Sequence, residues 1–146
     1  MRLALKQRVV IDTSTLVSAA LRADSKPRLV LKKAFELFEL CASEGTLSEL
    51  ETVLARSQFA RYGSAEAFRA FVESVRSDGS IFFVNAADLA LVEPSCRDPK
   101  DNLFLALAAV CGAKIVVSSD RDLLVLNPWQ GVAILTPTQF LVQTEI

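Results

Sequence analysis

The chain has 146 residues, 51% of them hydrophobic, with a mean hydropathy of +0.35, a length that suits one domain over residues 1–146 with a substantial core. Its 16 basic and 17 acidic residues leave a formal net charge of −1, so no global field draws it to nucleic acid, and any such binding must rest on local patches or on metal. The lack of histidine excludes every mechanism built on imidazole, and the five glycines form neither GxGxxG nor GxxxxGK[ST], which excludes the dinucleotide and P-loop phosphate cradles.

Short apolar runs of strand length alternate with longer segments of helical period, which predicts an α/β fold with a mostly parallel sheet flanked by helices. The first strand, near 8–11, contains Val9-Val10-Ile11 and stops at Asp12. That position lies just past the carboxyl end, where open α/β sheets place their sites. A helix from Thr15 to Arg22 follows, with Asp12 also placed to cap it. The next helix, Pro27 to Phe35, completes a basic stretch of Arg22, Lys26, Arg28, Lys32 and Lys33, a pattern that usually means solvated surface.

After a second strand near 37–41, the helix Glu44 to Arg56 carries the apolar stripe Leu47, Leu50, Val53 and Leu54. Glu49 lies on one flank and Glu51 on the other, so only one of them leans toward a given cleft. Thr46-Leu47-Ser48-Glu49 also fits a capping box, with Glu49 reaching back to the Thr46 backbone. Spacing alone does not choose. Phe59 and Tyr62 lead into the helix Ala65 to Arg76, where Phe68, Phe71 and Val75 fall at helical spacing and read mostly as core.

A third strand is expected near 81–84. Asp98-Pro99-Lys100-Asp101 then opens the helix Pro99 to Cys111, with Asp98 as cap, Pro99 at the first position and Asp101 in the first turn. The fourth strand, near 114–118, leads through Ser118 and Ser119 to Asp120. Asp120 and Asp122 are placed to cap a short helix before Leu123-Leu124. A fifth strand near 132–135 precedes Pro137, which starts a last short helical turn within Thr136 to Leu141.

Each of Asp12, Glu49, Asp101 and Asp120 thus has an ordinary reading as a cap or first-turn acid. Their conjunction is less ordinary, because one acid at each of four separate strand or helix ends fits a cation site better than four unrelated caps. Two carboxylates about 4 Å apart repel by roughly 4 kcal/mol at an effective dielectric of about 20. A proton or a divalent cation must offset that repulsion.

Cys41, Cys96 and Cys111 form no CxxC pair, which suits small buried thiols in a reducing, cytoplasmic setting. The amino terminus lacks the order of regions of a signal peptide. The apolar stretch Leu103 to Val117 is interrupted by Gly112 and Lys114 and is too short to span a membrane. The apolar surplus leads us to expect a homodimer or another protein partner.

The order and spacing of four segments then carry a family resemblance. They are Val9-Val10-Ile11-Asp12-Thr13-Ser14; Leu47-Ser48-Glu49-Leu50 with Val53-Leu54; Cys96-Arg97-Asp98-Pro99-Lys100-Asp101-Asn102 with Leu105-Ala106 and Ala108; and Val116-Val117-Ser118-Ser119-Asp120-Arg121-Asp122. The chain resembles a PIN domain, in particular the bacterial branch of toxin components of toxin-antitoxin systems related to VapC-type ribonucleases. The match extends to Thr136-Pro137-Thr138-Gln139-Phe140.

The resemblance implies a Mg²⁺- or Mn²⁺-dependent ribonuclease on a parallel five-stranded sheet, with Asp12, Glu49, Asp101 and Asp120 as catalytic metal-binding acids. Glu49 is thereby preferred to Glu51. Ser14 stands where many relatives carry Asn, Ser118 replaces the usual Thr, and Asp98 and Asp122 match auxiliary acids. Implied partners are an RNA substrate, a second copy, and a cognate antitoxin seated on helical surfaces such as the aromatic-rich segment 59–75. Carboxylate-held ions in such sites orient water for in-line attack on a phosphodiester, and the basic stretch after the first motif is available to phosphates.

A haloacid-dehalogenase-like phosphatase needs a second Asp where Ser14 stands, and a response-regulator receiver needs an acid after the middle strand, where Val84-Asn85 supplies none. The remaining alternative is a non-catalytic PIN-like binder of RNA or protein.

Overall fold

The computed structural model describes residues 6–144. Five strands, β1 Arg8–Ile11, β2 Glu39–Ala42, β3 Ser80–Ile81, β4 Ile115–Val117 and β5 Ala133–Leu135, form one sheet in the order β3-β2-β1-β4-β5. Every pairing is parallel. The helices are α1 Thr13–Leu21, α2 Lys26–Leu37, α3 Glu44–Leu54, α4 Ala65–Asp78, α5 Ala86–Ala90, α6 Asn102–Cys111, α7 Arg121–Leu124 and α8 Pro137–Gln143, with 3-10 segments at Ser57–Tyr62 and Pro99–Asp101. This is the α/β architecture that the alternation of short apolar runs and helical periods predicts.

Both faces of the sheet are covered, which is why its strands read as continuous apolar runs. Successive side chains point to opposite faces, so Val9, Ile11, Leu40, Ala42, Val117 and Leu135 join a core under α1 to α4 and α8. Val10, Cys41, Val116 and Ile134 join a second core with α6, Leu123 and the fully buried Trp129. The apolar content noted in the sequence is thus divided between two cores.

Local signals set the helix ends. Asp12, Ser25, Ser43, Ser64 and Thr136 cap α1, α2, α3, α4 and α8 through side-chain oxygens that accept backbone N–H groups. Helix α6 stops at Gly112, whose φ of 72° is left-handed and suits a residue without Cβ.

Several local expectations need correction. The capping box of α3 joins Ser43 to Thr46, not Thr46 to Glu49, because the helix begins a turn earlier and leaves Glu49 in its interior. Pro99 does not open α6 directly: Pro99–Asp101 is a separate 3-10 turn capped by Asp98, and α6 begins at Asn102. The third strand is only Ser80–Ile81, although the Phe82 amide still donates to the Ala42 carbonyl at 2.8 Å. The segment after Pro137 is a seven-residue helix, and the short elements α5 and Ser57–Tyr62 are additional. Among the described residues no helix is long and apolar enough to cross a membrane.

The chain order reverses at β1, which lies between β2 and β4. A crevice at the carboxyl ends of β1 and β4 is therefore the switch point at which such sheets bind ligands.

Candidate active site

Asp12 follows β1 directly, and its amide donates to the Val117 carbonyl at the end of β4 at 3.0 Å. Its carboxylate is only 3% exposed. It accepts from the Thr15 amide at 3.0 Å, from the Ser14 hydroxyl at 3.2 and 3.3 Å to its two oxygens, and from the Ser118 hydroxyl. Burial pushes its pKa up, while these hydrogen bonds, Ser118 foremost, oppose the shift. The Thr15 hydroxyl beside it is buried and has no hydrogen-bond partner.

Ser118, fully buried after β4, ties the site together: while donating to Asp12, its oxygen accepts the Asp120 amide at 2.9 Å. Asp120 in turn caps α7 by accepting the Asp122 amide at 2.9 Å.

Asp101 closes the cluster from the turn before α6. Its carboxyl is pushed up to about 7, first by burial, then by its contact with the Asp120 carboxylate and by the charges of Asp98 and Asp12. Asp12, Asp101 and Asp120 therefore share one electrostatic environment although they are spread along the chain. Asp98 is exposed and accepts the Lys100 amide at 3.1 Å, so its side chain is occupied in capping the turn.

Glu49 stands apart from that trio, half-buried on α3 and, among the described residues, without a hydrogen bond or ion pair to it. Its helix is nonetheless close to the site. A Cβ on Gly45 would lie 3.2 Å from the Leu103 side chain at the start of α6, and Glu49 is one turn further along that face of α3. Glu51 borders the groove between α3 and α4 instead.

Three supporting residues carry no role in the sequence reading. Thr15 supplies an amide to Asp12. The Asn102 side chain accepts the Cys96 amide at 2.6 Å, and the Cys96 thiol lies 3.9 Å from an Asp101 oxygen and 3.3 Å from the Asp122 carbonyl. The sequence signals for Asn102 are its place after Asp101 at a helix start and within the third of the family-like segments. Of the basic stretch, Arg28 donates to the Ala19 carbonyl at 2.8 Å, Lys26 to the Thr138 hydroxyl at 3.1 Å and Lys33 to the Thr144 carbonyl at 2.8 Å, whereas Arg22 and Lys32 are exposed.

The donor set fits a hard divalent cation: it is all oxygen, and among the described residues no Lys or Arg forms an ion pair with these acids. The orphaned Thr15 hydroxyl offers a further oxygen beside Asp12. No three acidic or thiol groups among the described residues converge on one point as they stand. Mg²⁺ does not need that, because it commonly keeps several waters and takes only one or two carboxylates.

A family model described as a PIN domain matches residues 8–122. Among solved structures, VapBC2 from Rickettsia felis bound to a DNA fragment of its promoter is similar with a TM-score of 0.65 at 12% identity, over 89% of this chain and 98% of that one. VapC20 of Mycobacterium tuberculosis, a toxin that cleaves the sarcin-ricin loop, gives 0.57 at 16% identity over 86% and 98%. PAE2754 from Pyrobaculum aerophilum gives 0.58 at 18% over 94% of each chain. At these identities the likeness is one of fold. No curated protein sequence matches this chain.

Proposed function

The chain belongs to the PIN domain family, and from that premise we propose that it is a metal-dependent ribonuclease, the toxin component of a toxin-antitoxin pair, hydrolysing RNA phosphodiester bonds. One observation carries this reading: carboxylates from the ends of β1 and β4 and from the start of α6 act on one another with, among the described residues, no ion pair to a Lys or Arg, so that Asp101 is held protonated to about pH 7. Repulsion of that kind is costly unless a cation relieves it.

Asp12, Asp101 and Asp120, with Glu49 from α3, are the residues that would hold Mg²⁺ or Mn²⁺. When bound, such an ion supplies charge stabilisation for the attacked phosphate and an activated water. The chain's own part is positioning. Ser14, Thr15 and Ser118 fix the Asp12 carboxylate. Ser118 couples it to the Asp120 backbone, and Asp98 sets the turn that delivers Asp101. Acid–base work falls to carboxylates and water in a chain without histidine.

The partners are RNA, a second copy of the chain and a cognate antitoxin protein, and exposed apolar side chains such as Phe83 and Leu91 support the protein contacts. Incubation with structured and unstructured RNA in Mg²⁺, Mn²⁺ and chelator tests the reading. Cleavage in either metal, lost in chelator and in Asp12→Asn, is expected. RNA binding without cleavage in any metal would make the protein a non-catalytic binder.

A further inference from the structure

We propose that the cleft beyond the first two turns of α1 is a subsite for one nucleotide of single-stranded RNA, with Tyr62 stacking on the base and Arg22 contacting a phosphate. This rests on the ribonuclease reading of the acidic site.

Helix α1 connects the two places. It starts at Asp12, buries Thr13, Thr15, Leu16, Val17 and Ala19, and exposes Ser14 and Ser18. Ser14 and Ser18, four residues apart, follow one face of the helix, and Arg22 is the extended residue that ends it and lines the same cleft as Ser18. At 1.5 Å per residue, Arg22 lies about 12 Å along the axis from Ser14, within reach of a short stretch of RNA held at the acids.

At that end Ser18, Leu21, Arg22, Ser25, Pro27 and Tyr62 line a cleft of about 280 Å³. Leu21 and Pro27 make an apolar wall, and Arg22 and Ser18 bring polar groups to it. Tyr62, from the 3-10 segment Ser57–Tyr62, is 44% exposed, although every other aromatic side chain of the segment 59–75 is at least partly buried.

The phenol is braced from outside the cleft lining. The Arg61 guanidinium stands 5.0 Å from the ring centroid and donates to the Tyr62 hydroxyl at 3.0 Å. A braced ring beside a cation is a stacking platform of the kind that single-stranded nucleic acids use, and it tolerates any base because every base has a π-face. The charge of this corner also differs from that of the whole chain. Arg22, Lys26, Arg28 and Arg61 outweigh Asp24 locally, and phosphate contacts need only such a local excess. Of these cations Arg22 lines the cleft without the backbone commitment that holds Arg28.

Binding measured without turnover separates this subsite from the chemistry. In an Asp12→Asn background with chelator, anisotropy of a fluorescein-labelled single-stranded 12-mer RNA is recorded at low and moderate salt. Tyr62→Ala is expected to weaken binding roughly tenfold, and Arg22→Ala to weaken it and flatten its salt dependence. Tyr62→Phe should restore most of the loss. Lys114→Ala, which removes an exposed cation just before β4 and away from the acidic end of the sheet, should leave affinity unchanged. Thermal melts confirm that each variant is folded. If the oligonucleotide binds and active protein cleaves it, but Tyr62→Ala and Arg22→Ala bind like their parent, this subsite is wrong while the ribonuclease reading stands. If the parent does not bind RNA at all, both fail.

Discussion

At the scale of single residues, the site is defined by protonation as much as by position. Asp101 has a folded-state pKa of about 7 against an ordinary 3.8, so between those values the folded protein binds more protons than the unfolded chain. Stability therefore falls as pH rises through this window, and buried Asp12 shifts in the same direction. In chelator the melting temperature should drop by a few degrees from pH 5 to pH 8, and Asp101→Asn should flatten that slope. A profile that rises with pH over the window would contradict the repulsive cluster.

The same reasoning separates ligand from cap. Asp101→Asn should abolish RNA cleavage without lowering metal-free stability at pH 8, since it removes one charge from the cluster. Asp98→Asn should retain stability and much of the activity, because Asn caps about as well as Asp and Asp98 is occupied by the Lys100 amide. Equal activity in Asp101→Asn and the parent would remove Asp101 from the site. Ser118→Ala leaves the Asp120 amide unpaired and the buried Asp12 carboxylate with one donor fewer, and a loss of roughly 1–3 kcal/mol is expected from urea unfolding.

At the scale of elements, close approaches set where the acids lie. Gly45 lets the start of α3 meet Leu103 at the start of α6, and Gly79 joins α4 to β3 where no Cβ fits. A Cβ on Gly79 would lie 2.6 Å from the Val75 carbonyl oxygen and 2.9 Å from that of Leu40. Both are backbone atoms that cannot turn aside. Gly79→Ala should therefore cost about 1–3 kcal/mol, read as a lower urea midpoint. An unchanged midpoint would show that this junction yields. Helix α1 serves two purposes from one sequence, with Asp12 as its cap at one end, Ser14 and Ser18 exposed along one face, and the exposed Arg22 ending it.

At the scale of the whole molecule, two cores absorb much of the apolar surplus, yet Phe83 and Leu91 remain 81% and 75% exposed. Such side chains favour association, and light scattering at tens of micromolar should give the mass of a dimer. A monomer mass there would reject it. Millimolar Mg²⁺ or Mn²⁺ should raise the melting temperature at pH 7.5, since an ion that binds only the folded state stabilises by mass action. An unchanged melt would argue against a formed site.

The sequence by itself determined the period of the longer elements and several helix starts, but not the short α5 and Ser57–Tyr62. Strand burial, cap residues and turn chemistry act over a few neighbours, so Val9-Val10-Ile11-Asp12 and Thr136-Pro137 carry their own local instructions. It also determined, through the absence of histidine, that any acid–base chemistry belongs to other groups. Helical spacing left Glu49 and Glu51 open, and only the family resemblance preferred Glu49, because flanks of one apolar stripe are equivalent until a neighbour breaks the symmetry. Only the tertiary structure decided that Gly45 faces α6 and that Glu51 borders α4. Likewise, no local signal links Asp12, Asp101 and Asp120. The reversal of chain order at β1 brings them together, and desolvation and mutual repulsion, which exist only once that crevice has formed, raise the Asp101 pKa.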